Sequence, residues 1–152
     1  MKSMKSRKMK NKSVKKRFNK MKKMGVSNRE KSHIVRIMLE MLNVVKLYHW
    51  NTRSYSQHKA TDELYGRLNE NIDKFVEVLL GKDGSRINRI EKKLLIRDFS
   101  NISDFKQQIY EYREFLKDLS IYFDNRNDSD LLSIRDDILA DINQFLYLLT
   151  FS

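Results

Sequence analysis

Not one proline occurs anywhere in this chain of 152 residues, and only four glycines do. Nothing in the backbone chemistry therefore stops a helix from running many turns. Apolar residues recur at steps of three and four in four long stretches, which predicts an all-α protein. The first stretch opens at Ser27, where "SNRE" offers a capping box with Glu30 reaching back to the cap. It runs to Trp50 and is dense in apolar residues, among them Ile34, Val35, Met38, Met41, Val44, Val45 and Tyr48. Arg36, Glu40, Asn43 and Lys46 recur as one narrow polar face, so this helix should be covered on several sides. A second helix is expected from Ser56 to Leu80, with Gly81 as its cap. A third begins near Ser103 and carries its stripe to Tyr122, and a fourth spans Leu131 to Leu149.

Loop lengths then constrain the topology. The first and last connections are short, whereas residues 82–100 make a basic connector with a short helical pattern at Ile87, Ile90, Leu94 and Leu95. A helix of about 24 residues is roughly 36 Å long, and a connector of about twenty residues can run back along it. The second and third helices should then be parallel. The expected fold over residues 27–152 is a ferritin-like four-helix bundle with one long crossover carrying a short helix.

Charge divides the chain in the same place. The formal net charge is +11, and 12 of the 31 basic residues stand in residues 1–24 without an acid, leaving 19 basic against 20 acidic in the rest. Residues 1–26 thus read as a basic, flexible arm. Lys2, Lys5, Arg7, Lys8, Lys10, Lys12, Lys15, Lys16, Arg17, Lys20, Lys22 and Lys23 are its candidate phosphate contacts. Such a run binds polyanions because neutralised phosphates release condensed counterions, and it reads no base sequence. Non-specific DNA ranks ahead of a membrane surface, for which Val14, Phe18 and Met21 offer only a weak stripe. No apolar run reaches the roughly 18 residues of a membrane span, and no signal peptide opens the chain. The expectation is a soluble intracellular protein of cytoplasm, nucleoid, nucleus or virion.

The absence of cysteine excludes disulfides and thiolate metal sites, so any metal must be held by histidine and carboxylate. His58, Asp62, Asp73 and Glu77 follow one another at steps of four, eleven and four, which places all four on one face of the second helix. Asp62 and Asp73 nevertheless stand about 17 Å apart along the axis, too far to share an ion. Two copies running antiparallel across a two-fold axis would set His58 and Asp62 of one against Asp73 and Glu77 of the other, making the site twice. His49, at the end of the first helix, would complete a histidine pair. Spacing alone leaves a second reading open, a solvated acidic face with an exposed histidine. Trp50 and Tyr55 are expected in the core, and Asn51 in a loop or cap.

The string "HWN" (His49, Trp50, Asn51) followed by H-x3-D-x10-D-x3-E resembles the ferroxidase signature of Dps-type mini-ferritins. The resemblance implies a homo-oligomer, a hollow dodecamer with ferroxidase centres between two-fold-related subunits. Ferrous iron would be oxidised there by peroxide or oxygen and stored as ferric mineral, with His49, His58, Asp62, Asp73 and Glu77 as ligands. It also implies that the Lys-rich arm gathers DNA. The interval from His49 to His58 is about three residues shorter than the family's usual form, and "YHWNTRSYSQHKATDELY" also resembles uncharacterised proteins of large double-stranded DNA viruses. A rival expectation, from the arm alone, is a nucleic-acid packaging protein with a degenerate metal site.

Overall fold

The structure, a computed structural model, describes residues 25–87 and 93–152. The expected arm lies almost wholly outside them, in residues 1–24. So do positions 88–92, where part of the connector's short helical pattern falls. Four long helices make up the rest: α1 (Asn28–Asn51), α2 (Tyr55–Gly81), α3 (Ile102–Asp118) and α4 (Ser129–Leu148). A 3₁₀ turn, Leu119–Ile121, ends α3, and another, Leu149–Phe151, ends α4. Among the described residues there is no strand, and no helix is long and apolar enough to cross a membrane.

Local chemistry explains where the helices begin. Ser27 and Glu30 form the capping box at α1, with Glu30 Oε2 accepting from the Ser27 amide at 2.7 Å. Ser54 caps α2 and Asn101 caps α3, each side chain accepting from a backbone amide three residues on. Such a cap satisfies one of the four amides that every helix start leaves unpaired and is worth about 1 kcal/mol.

The relative directions follow from side-chain contacts. The three-residue turn between α1 and α2 makes them antiparallel. Asn71 donates to Asp141, and Lys82 reaches Asp130, so α2 and α4 run in opposite senses. Tyr48 stacks on Phe105 at a centroid distance of 3.9 Å while His33 meets Phe115, so α1 opposes α3. It follows that α2 and α3 are parallel, so the chain between them joins opposite ends of the bundle. Where described, at 85–87 and 93–99, it has no regular structure.

The core lies between the four helices, with Phe75, Phe105, Ile109, Leu116, Ile138 and Ile142 completely or almost completely buried. Phe105 also meets Phe145 edge-on at 6.1 Å, so one ring joins α1, α3 and α4. Burying each such side chain contributes about 1.5–3 kcal/mol.

Four local expectations are corrected. Glu40, placed on the polar face of α1, is buried: the connector lies over it, its carboxylate accepts from the Leu95 amide at 2.9 Å, and Arg36 pairs with it at 2.8 Å. Trp50 and Tyr55 are exposed rather than in the core, at 67% and 77%. Trp50 follows the buried Tyr48 by two residues, which turns it about 200° away from the buried stripe. Gly81 is the last residue of α2, not its cap; Gly84, at φ +67°, takes the left-handed position three residues later. The stripe assigned to α3 as far as Tyr122 tightens into a 3₁₀ turn from Leu119, and the buried Arg135 of α4 donates to the Leu116 carbonyl and to Ser120 there.

Candidate metal centre

The α1–α2 turn is built around one side-chain amide. Gln57 Oε1 accepts from the Tyr48 hydroxyl at 2.8 Å and from Thr52 Oγ1 at 2.9 Å, tying the last turn of α1 to the first turn of α2. The turn brings the rings of His49 and His58 face to face, 3.9 Å between centroids and 22° from parallel.

Each ring is held by the other residue's backbone. His49 Nδ1 lies 3.0 Å from the His58 carbonyl, and His58 Nδ1 lies 2.9 Å from the His49 carbonyl. A carbonyl oxygen can only accept, so both Nδ1 atoms must carry the proton. In the neutral rings both Nε2 atoms are then bare lone pairs, the form in which imidazole binds a metal. Thr61, fully buried, supports the same arrangement: its hydroxyl donates to the Gln57 carbonyl at 2.7 Å and its oxygen stands 3.3 Å from His49 Nδ1. His49 Nε2 points towards Asp62, with Oδ1 at 3.8 Å.

His49, His58 and Asp62 thus come together at one end of α2, the shortened His49–His58 interval notwithstanding. His49 is buried, 7% exposed, while Asp62 is open to solvent. Asp73 and Glu77 are not brought to them. Both are exposed further along α2 and make no hydrogen bond or ion pair among the described residues. Within one chain, no group of three or more His, Cys, Asp and Glu among the described residues is placed to hold a metal ion. By donor chemistry alone the residues suit a divalent first-row metal, since they are imidazoles and carboxylates without sulfur.

Thr61 and Gln57 were not among the residues singled out in the sequence. Thr61 sits one residue before Asp62 and reads as ordinary helix, and only folding the turn reveals that its hydroxyl meets a ring from α1. Asn51, expected in a loop or cap, ends α1 and donates to Asp98 of the connector at 2.9 Å.

An all-α protein of four long helices, with a paired-histidine cluster at the α1–α2 turn, is the class that fold and site define. The chain belongs to a family of unknown function, DUF5856, which matches residues 49–149. That match starts at His49 and takes in every candidate ligand. Neither a curated protein nor a solved structure matches the chain.

Proposed function

We propose that this protein is a Dps-like ferroxidase of ferritin-like architecture, with ferrous iron as its substrate. The observation that carries the reading is the reciprocal histidine pair, which fixes the proton of both rings at Nδ1 and sets His49 Nε2 3.8 Å from Asp62 before any ion arrives. The parallel arrangement of α2 and α3 across a long connector supports it, being the order of helices in ferritin-like bundles. A two-fold partner contributes its Asp73 and Glu77 to complete the shell.

In this reading His49, His58 and Asp62 receive the ferrous ion, and the partner's carboxylates close around it. Carboxylates favour the ferric product over the ferrous reactant, because charge attraction grows with oxidation state. Two ferrous ions give up one electron each to a peroxide molecule, which takes up two protons and leaves as two waters. Oxygen is the other oxidant of this class. The side chains bind, orient and neutralise; the electrons come from the iron. Ligation requires unprotonated imidazole and carboxylate, so binding weakens as the medium is acidified.

Assembly into a closed shell, dodecameric in the family resembled, would sequester the ferric product. The arm then provides non-specific DNA binding from the surface of an intracellular, soluble particle. Twelve positive charges in residues 1–24 favour that second activity. They are also the basis of the alternative reading, a nucleic-acid packaging protein whose metal site is inactive.

The test is the double variant Asp73→Ala with Glu77→Ala, assayed for ferrous oxidation and for DNA retardation. Oxidation should disappear while DNA retention persists. Undiminished oxidation would remove these carboxylates from the site, and a wild type without oxidation would favour the packaging protein.

A further inference from the structure

α2 contains the one glycine that stands in the interior of a helix. Of the four glycines, Gly25 and Gly84 have positive φ outside the helices, Gly81 is the last residue of α2, and Gly66 lies near its middle. Glycine is the poorest helix former after proline, so its presence there calls for a reason. Nothing among the described residues supplies one: a Cβ built on Gly66 meets no atom within 4 Å, and the residue is exposed.

The candidate ligands supply one. His58 and Glu77 lie symmetrically about a midpoint between Arg67 and Leu68, and Asp62 and Asp73 share that same midpoint. A two-fold axis that sets His58 and Asp62 against the partner's Glu77 and Asp73 must therefore cross α2 at that level. Of the positions flanking the midpoint, Gly66 and Asn69 are the pair lying on the ligand face. Gly66 follows Asp62 by four residues and precedes Asp73 by seven, so it lies within about 40° of both around the helix. Gly66, Asn69, Asp62, Asp73 and Glu77 are exposed, and His58 is partly buried.

We propose that Gly66 is the crossing point at which α2 of a second copy docks on α2, with the partner's Asn69 opposite it. The inference rests on the inter-subunit site proposed above and specifies its interface. Aspartate is a short side chain, so Asp62 and the partner's Asp73 reach one ion only if the two backbones come close. Helix axes pack 8–10 Å apart according to the side chains at their contact, and a hydrogen in place of a Cβ permits the lower end of that range. The pairing also sets two aspartates against each other. Like charges oppose the docked state until a cation lies between them, so association and metal binding are linked reciprocally.

The experiment is sedimentation of the full chain, with and without ferrous iron under argon, for wild type, Gly66→Ala, Gly66→Leu and the control Gln107→Leu on the exposed side of α3. Thermal melting of each variant accompanies it. Both Gly66 substitutions should hold or raise the melting temperature, because each improves the helix. They should nevertheless weaken self-association, slightly for alanine and roughly tenfold or more for leucine. Iron should strengthen wild-type association, and the control should match wild type. If Gly66→Leu associates as tightly as wild type, the crossing point is refuted, whereas retained oxidation would leave the ferroxidase intact. If association depends on Gly66 but no iron is oxidised, the interface stands and the ferroxidase falls. A wild type that stays monomeric with iron overturns both.

Discussion

The candidate ligands near the two ends of α2 stand in opposite states. At the α1–α2 turn, His49 and His58 are stacked, pinned through Nδ1 and backed by the buried Thr61. Fifteen residues beyond Asp62, Glu77 projects into solvent, as does Asp73, with no partner for either among the described residues. The first region is organised by its own chain because the turn supplies carbonyls to both rings. The second has nothing among the described residues to organise it. In the proposed ferroxidase, one chain would preform part of the coordination shell and association would set the rest.

That contrast breaks most completely at the exposed end. Asp73→Ala with Glu77→Ala should lower ferrous oxidation by roughly a hundredfold or more while changing stability by less than about 0.5 kcal/mol, since exposed side chains without partners contribute little to folding. Stopped-flow absorbance and urea unfolding measure the two effects. A large stability loss would mean that these carboxylates are not waiting for a partner.

At the preformed end, His58→Ala should lose metal binding and stability together, because it removes a ring that the fold uses as packing. Thr61→Val sharpens this further. It keeps the shape but removes the oxygen near His49 Nδ1, and should weaken divalent metal affinity by about 10–100-fold, as loss of a ligand's supporting hydrogen bond does elsewhere. Nitrogen NMR of the His49 ring would show a mixed tautomer population in Thr61→Val and its recovery in Thr61→Ser. An unchanged tautomer would leave the His58 carbonyl as the sole determinant.

The smallest effect expected lies at the far corner of the bundle. The buried Lys31 ammonium, 2.5 Å from Asp83, holds that carboxyl down at about 2 from an ordinary 3.8, with Ser85 adding to the effect. A depressed carboxyl pKa contributes stability above the unfolded value that is lost as pH falls through the folded one. The wild type should therefore lose a small stability advantage over Asp83→Asn between about pH 4 and pH 2. Asp83 is half-exposed, so solvent screening keeps this well below the effects expected at the candidate ligands. Urea midpoints across that range test it, and an advantage that persists at pH 2 would exclude the pair as its source.

Much of the architecture was legible in advance. Uninterrupted three-four periodicity and the missing proline foretold four helices, "SNRE" foretold the start of α1, and the long connector foretold parallel α2 and α3. The misplacements share one cause. Glu40 looked like surface because helical periodicity records which residues share a face, not what later lies on that face, and the connector lies on Glu40. Trp50 and Tyr55 looked like core because large aromatics usually bury, yet both stand at helix ends beyond the stripe. The face shared by His58, Asp62, Asp73 and Glu77 was readable from spacing. The carbonyl grip on the two rings was not, because it depends on the conformation of a three-residue turn.

What the sequence by itself determined is whatever follows from covalent order and local periodicity: helix lengths, caps, the face of α2 that His58, Asp62, Asp73 and Glu77 share and the segregation of positive charge into residues 1–24. What only the tertiary structure decided is which groups meet across the turn, and therefore that both histidines protonate at Nδ1 and present Nε2. The physical reason is that hydrogen bonds and ring stacking act over a few ångströms, and residues nine apart in the chain reach that distance only once α1 and α2 have folded back on each other.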